Sequence, residues 1–260
     1  MDRRLSHSET IGLGALGLMS FIGLWAAISG FGLVPDQFLP TPIAVIGRFI
    51  DLFREPFAGF TLQQHLSSSL MRYLYGLLLA AVIGIPLGLA MGWFRTLDDV
   101  VTPIFEGLRF IAPIAWVPFA ALWFGTGIGG PIMIIFAGAF PPCLINAYRG
   151  ARFVEPRLIE AARMLGTGHR RMLMEILLPA SLPSVMAGVR VAAGLGWQSL
   201  VGAELIVASA GVGFMMVQAQ ASVQTPTVMA GMIAIGITGL LIDVALRQGE
   251  GLLRHRLGAD

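Results

Sequence analysis

Runs of roughly 20 apolar residues recur along the chain, separated by shorter stretches that collect its arginine, aspartate and glutamate. Six such runs are bounded approximately by Ile11–Val34, Leu66–Phe94, Val101–Phe124, Ile132–Tyr148, Val185–Ala208 and Val228–Leu246. At about 1.5 Å per helical residue each can cross a hydrocarbon layer of about 30 Å, the fourth only just. The runs are continuous rather than alternating, so they predict helices and not the strands of a barrel, and a helix satisfies its own backbone in lipid. Arg3 and Arg4 ahead of the first run give it the look of a secretory leader. Its length, the lack of a small-x-small cleavage site and the five runs that follow predict an uncleaved first helix instead. After it, Ile43, Ile46, Phe49, Ile50 and Phe53 keep helical spacing. They predict an amphipathic helix lying along the membrane interface or packed on a neighbouring subunit.

Composition agrees. Of 260 residues, 56% are hydrophobic and 12% charged, with mean hydropathy +0.78; a water-facing domain carries about 25% charged residues. The 17 positive side chains are all arginine. A chain without lysine holds neither a phosphate-cradling P-loop nor a Schiff-base amine. One cysteine, Cys143, excludes an internal disulfide, and His7, His65, His169 and His255 show no metal-ligand spacing. A net charge of +2 gives no reason to expect nucleic acid as a partner. The placement of the arginines is more informative. With the N-terminus inside, twelve fall on inner segments (3, 4, 95, 149, 152, 157, 163, 170, 171, 247, 254 and 256) and two, Arg48 and Arg54, on outer ones. Arg72, Arg109 and Arg190 lie within runs. This bias places both termini and the 149–178 connection in the cytoplasm.

That connection is the most basic stretch. Pro156 suits the first turn of a helix, Gly166 and Gly168 a break, and a second short helix from about His169 should stop before Pro179. Ala161 and Ala162 leave the helix backbone open to close approach, Glu160 and Arg163 sit three apart around them, and Gly166 lets the chain reverse. The product is a compact knob suited to a groove on another protein. The alternative is a solvated connector resting on anionic headgroups through Arg170 and Arg171.

Charges inside the runs are the other candidates, since they are costly in lipid. Glu106 and Arg109 can pair on one helix face. Arg109, Trp116 and Trp123 follow at sevens and form one stripe if the helix stays regular, which Pro113 and Pro118 oppose. A gating helix and a kinked packing helix with a structural ion pair both fit. In the fifth run Arg190, Trp197 and Glu204 are again seven apart, with Gln198 alongside and Gly194 and Gly196 permitting close helix approach. This stripe either lines a pathway, Arg190 easing passage of an anion, or pairs with neighbouring helices. The segments 125–131 and 209–227 carry no formal charge.

Glu160-Ala161-Ala162, then Gly166, Ile176, Leu178 and Pro179, resembles the "EAA" loop of ABC importer permeases at every position. Phe38-Leu39-Pro40-Thr41-Pro42, Pro113-x-x-Trp116-x-Pro118 with Trp123-Phe124-Gly125, and Gly196-Trp197 through Ala203-Glu204-Leu205-Ile206 are similar to the taurine, alkanesulfonate and nitrate branch. The resemblance implies an all-α membrane protein: one permease domain over 1–260 with six transmembrane helices, the type I importer fold and a cytoplasmic coupling helix. It implies that Glu160, Ala161, Ala162, Arg163, Gly166, Ile176, Leu178 and Pro179 meet an ATPase, and that Gly211-Val212-Gly213-Phe214-Met215 lies near an outer gate. Pathway or gate candidates are then Arg190, Trp197, Gln198, Glu204, Glu106, Arg109, Trp116, Phe214 and Met215. The implied assembly is a permease homodimer in the bacterial inner membrane, with two cytoplasmic ATPase subunits and a periplasmic solute-binding protein. ATP and Mg would be held by the ATPases, and this chain would be a transport subunit without cofactor, metal or catalytic residue. An ion-coupled transporter or channel explains the buried charges but not the loop. An intramembrane enzyme lacks a paired histidine and nucleophile within the runs.

Overall fold

The computed structural model describes residues 7–125 and 127–256; Arg3 and Arg4 lie outside them. Helix α1 (His7–Gly30) is almost wholly exposed and meets the rest where Trp25 Nε1 donates to the Pro40 carbonyl at 3.0 Å. Helix α2 (Pro42–Asp51) starts at Thr41, whose hydroxyl accepts from Ala44 N–H at 3.3 Å. Its Ile43, Ile46 and Ile50 face outward, while Phe49 and Leu52 join the interior, so the expected amphipathic helix is present. Helix α3 (Leu62–Trp93) opens with Thr61 N–H donating to Gln64 Oε1 at 2.9 Å, a reciprocal cap. Helix α6 (Gly129–Arg152) and helix α9 (Leu178–Glu204) complete the centre.

Helix α6 runs between α3 and α9, parallel to the first and antiparallel to the second. In lipid no hydrophobic drive brings helices together, so close backbone contact has to supply the attraction. Gly76, Gly84, Gly88 and Gly92 form the row on α3 that meets α6. At Gly88 a Cβ would land on the Leu144 carbonyl oxygen and lie 2.9 Å from the Ala147 Cβ. On the other side Gly138 receives Ser199, Gly150 meets Ser181 and Ser184, and Gly188 meets Asn146. Tyr73, Ile135, Ala193, Trp197 and Leu200 then pack as one cluster across all three helices. Helix α11 (Thr225–Arg256) covers α9, Trp197 Nε1 donating to the Ile235 carbonyl at 3.2 Å.

Among the described residues five helices are long and apolar enough to cross a membrane, and a broken pair makes a sixth if counted as one crossing. That pair is α4 (Arg95–Leu108) followed by a 3₁₀ turn (Pro113–Trp116) and α5 (Val117–Phe124), bent by 86°. The regular Arg109–Trp116–Trp123 stripe therefore does not form; the break falls at 109–112, before Pro113, which disfavours helix for the residue ahead of it.

Among the span boundaries that differ from expectation, two bear on the knob. The fourth span continues through Arg149 and Arg152, and the fifth begins at Met172 rather than Val185. Helix α7 (Pro156–Met164) and the single turn α8 (His169–Arg171) precede a wide π turn, Met172–Leu177. There Leu178 N–H reaches back to the Leu173 carbonyl and the chain runs straight on through Pro179. The expected stop at Pro179 is absent because proline in the first turn of α9 forfeits no needed N–H, and the widened turn absorbs the change of register. Helix α10 (Val212–Ala221) lies at the end of the bundle opposite α7, between α9 and α11.

Candidate functional site: a knob, a broken span and a capped helix

At one end, α7 forms the knob. Its C-terminus closes with Thr167 N–H donating to the Ala162 carbonyl at 3.1 Å and Gly166 N–H to Arg163 at 3.0 Å, with Gly166 at φ +71°. This paired closure needs a left-handed residue, which is why glycine stands there. The two alanines divide the work: Ala162 is buried against the protein's own interior and Ala161 points outward. Beneath them Ala151, Val154 and Leu177, with Ile159, Leu173, Leu89 and Trp93, fix the knob to the ends of α3 and α6. Glu160 and Arg163 are exposed, Ile176 is half-buried, and Leu178 and Pro179 lie exposed at the start of α9. Beyond the alanines, Met164 and Leu165 are 86% and 85% exposed, an apolar tip that sequence reasoning passed over.

The second part is the break in span three. Arg109 Nε and Nη2 reach Glu106 Oε2 at 2.9 and 2.8 Å, the pairing their spacing suggested, and the guanidinium lies 4.7 Å from the Phe110 ring centre. Two cavities meet at Arg109 and Ile111. One of about 320 Å³ is walled by apolar side chains of α3, α4 and α6 with Trp116; the other, about 360 Å³, faces α9 and holds Gln198 and Ser199. This concavity gathers a cation, an amide and a hydroxyl among mostly apolar walls.

The third part lies at the far end, where three successive N–H groups opening α10 are each taken by a side chain. Gly211 N–H donates to His65 Nδ1 at 3.2 Å, Val212 N–H to Ser69 Oγ at 3.0 Å, and Gly213 N–H to Glu204 Oε2 at 3.0 Å. His65 Nδ1 accepts, so Nε2 carries the proton it gives to the Phe57 carbonyl at 3.0 Å. Ser69 Oγ in turn lies 2.8 Å from Glu204, and Arg72 Nη1 donates to Glu204 Oε1 at 3.0 Å and to the Ala210 carbonyl. Arg72 and Glu204 are buried, with side chains 7% and 1% exposed.

The Arg190–Trp197–Glu204 stripe does share a face, but that face turns inward. Arg190 Nε donates to Asp243 of α11 at 3.0 Å, with Arg247 also on Asp243 at 2.8 Å. Trp197 stands edge-on to Tyr73, and Glu204 is enclosed by α3 and α10. Within the single protomer Trp197, Glu204 and Met215 are buried, and Phe214 is half-buried. Gln198, the stripe's neighbour, opens on the larger cavity at the break in span three, while Arg190 and Trp197 line a small one of about 70 Å³ against α11. Sequence reasoning missed His65, Ser69 and Arg72, although positions four and seven apart share a helix face, and it missed Asp243, an acid within the last apolar run.

A membrane-length helical bundle with an exposed helix–glycine–helix knob is the architecture of a permease subunit. Residues 84–257 match the family described as binding-protein-dependent transport system inner membrane component, and the chain belongs to that family of ABC importer permeases. It is 35% identical to the taurine transport system permease protein of Escherichia coli (strain K12) over 244 residues, 94% of this chain and 88% of that one. It is 34% identical to the bicarbonate transport system permease protein of Synechococcus elongatus (strain ATCC 33912 / PCC 7942 / FACHB-805) over 235 residues, 87% of this chain and 84% of that one. In fold it is similar to the inward facing MetNI methionine ABC transporter, with TM-score 0.53 and 21% identity, covering 71% of this chain and 95% of that one.

Proposed function

We propose that the chain forms the translocation pathway of an ATP-driven importer for a small anionic solute of the sulfonate or bicarbonate kind. It works as a homodimer in the bacterial inner membrane. Two cytoplasmic ATPase subunits dock on the α7 knobs and carry ATP and Mg, and a periplasmic binding protein delivers the solute. The observation that carries this reading is the knob itself, whose apolar tip is exposed while its base is anchored in the ends of α3 and α6. Such a part is built to be gripped and to transmit force. The arginine bias supports a cytoplasmic side for it and for both termini, and the absence of lysine fits nucleotide chemistry carried on another chain.

The solute class is supported by the relatives named for taurine, which carries a sulfonate, and for bicarbonate, and by the concavity at the break in span three. Arg109 is partly neutralised by Glu106, which lowers the cost of holding it in the membrane. Its remaining N–H groups, with the Gln198 amide, offer weak, dispersed donors suited to a passing anion, while the Ser199 hydroxyl is turned to the Leu195 carbonyl at 2.7 Å. Specific capture belongs to the binding protein. Proteoliposomes holding the permease, its ATPase and a taurine-loaded binding protein should accumulate labelled taurine only with ATP, and Arg109→Gln should lower that uptake. Uptake driven by an ion gradient without the ATPase would support a secondary transporter instead.

A further inference from the structure

The cluster at the far end of the bundle has a connection to the knob that pairwise contacts do not reveal. Helix α9 is one continuous element of 27 residues, about 40 Å long, joined to α8 and the knob through the π turn at its start. Its last residue is Glu204. That carboxylate holds α10 through the Gly213 N–H and α3 through Ser69 and Arg72. Ser69 passes the connection on to Val212 N–H, and His65, one turn away on α3, takes Gly211 N–H. The fit leaves no slack. A Cβ at Gly211 would strike the Glu204 carboxylate, and one at Gly213 would sit 2.6 Å from the Glu204 Cβ.

We infer that Glu204 is a positioning residue that makes α3, α9 and α10 move as one piece, so that displacement of the knob reaches the opposite face of the membrane through it. The inference rests on the reading that α7 docks a moving ATPase. Nothing in holding α9 beside α3 requires the start of α10 to be captured by three side chains from two helices. The glycine row and the Tyr73–Trp197 cluster already pack the centre. The distal network adds a tether for α10: three of its opening N–H groups are taken by buried side chains, though Arg72 Nε is left without a partner among the described residues, and shared buried hydrogen bonds of this kind favour a single arrangement. Glu204→Gln keeps the size but turns one oxygen into an amide donor. That donor must oppose Gly213 N–H, Arg72 or Ser69, so the tether is loosened without a cavity.

The test uses spin labels in the dimeric transporter reconstituted with its ATPase; Cys143 is buried and stays unlabelled. A label at exposed Arg157 reads the separation of the two knobs, and a pair at exposed Ser67 of α3 and Gln220 of α10 reads the tether within one protomer. In the wild type, trapping the ATP-bound state should change the Arg157 distance and leave the Ser67–Gln220 distance unchanged. In Glu204→Gln the Arg157 distance should still respond, the Ser67–Gln220 distribution should shift or broaden, and uptake should fall about tenfold. Should Glu204→Gln fail to fold, Ser69→Ala keeps the Arg72–Glu204 pair and should broaden the same distribution with a smaller fall in melting temperature. A wild-type Ser67–Gln220 distance that changes as the knobs move overturns the inference, as does wild-type uptake by a folded Glu204→Gln. Knobs that ignore ATP overturn the docking reading and this inference with it.

Discussion

Replacing Met164 and Leu165 together with serine removes the apolar tip of the knob while leaving its base untouched. Both side chains are more than four-fifths exposed, so nearly all of their apolar surface is free to be covered by a partner. Full burial of a leucine or methionine is worth about 1.5–3 kcal/mol. Covering about half of each on docking gives about 1.5–3 kcal/mol for the pair, a loss of about 10- to 150-fold in affinity for the ATPase. Folding should barely change, because both side chains are exposed and the closure of α7 at Leu165 uses backbone groups alone; such substitutions cost within about 0.5 kcal/mol. Titration of the ATPase into the solubilised permease measures the first quantity, and a melting curve of the permease alone measures the second. Unchanged affinity would refute the docking tip; a fall in melting temperature would show that these side chains serve the fold instead.

Gly166→Val should cost about 1–3 kcal/mol of local strain, because φ is +71° and nothing crowds the site, whereas Gly166→Asn should be tolerated; ATP-driven uptake separates the two. Gly88→Val should prevent α3 and α6 from meeting, with little monodisperse protein recovered on fluorescence-detected gel filtration. Arg72→Ala should lower the melting temperature far more than Arg190→Ala. The first strands Glu204 in a buried site, while the second leaves Asp243 half-exposed and still paired with Arg247.

The membrane spans were legible because lipid demands long unbroken apolar runs, and the knob because its proline, glycine and alanine spacing has a local cause. The α9 stripe shows where such reading stops. Spacing by seven correctly puts Arg190, Trp197 and Glu204 on one face, yet one helix's periodicity does not say what that face meets, and here it meets α11, α3 and α10. The break at Arg109 was half visible: Pro113 announced an irregularity, but an 86° turn comes from how α4 and α5 pack on α6. The π turn before Pro179 has no sequence cue of its own. His65, Ser69 and Arg72 stayed hidden because their partner is the start of α10, about 140 residues away. The adjacent alanines misled in a smaller way, since neighbouring helix positions point about 100° apart and only one can face a partner.

The central claim is that α7 is gripped by an ATPase. The measurement closest to it is photocrosslinking from position 165, with a photoreactive amino acid in place of Leu165 in cells producing the whole transporter. The account predicts one adduct of the mass of permease plus ATPase, lost when the ATPase gene is deleted. Adducts to phospholipid alone, with the ATPase present, would mean that the knob is a membrane-resting connector and would contradict it.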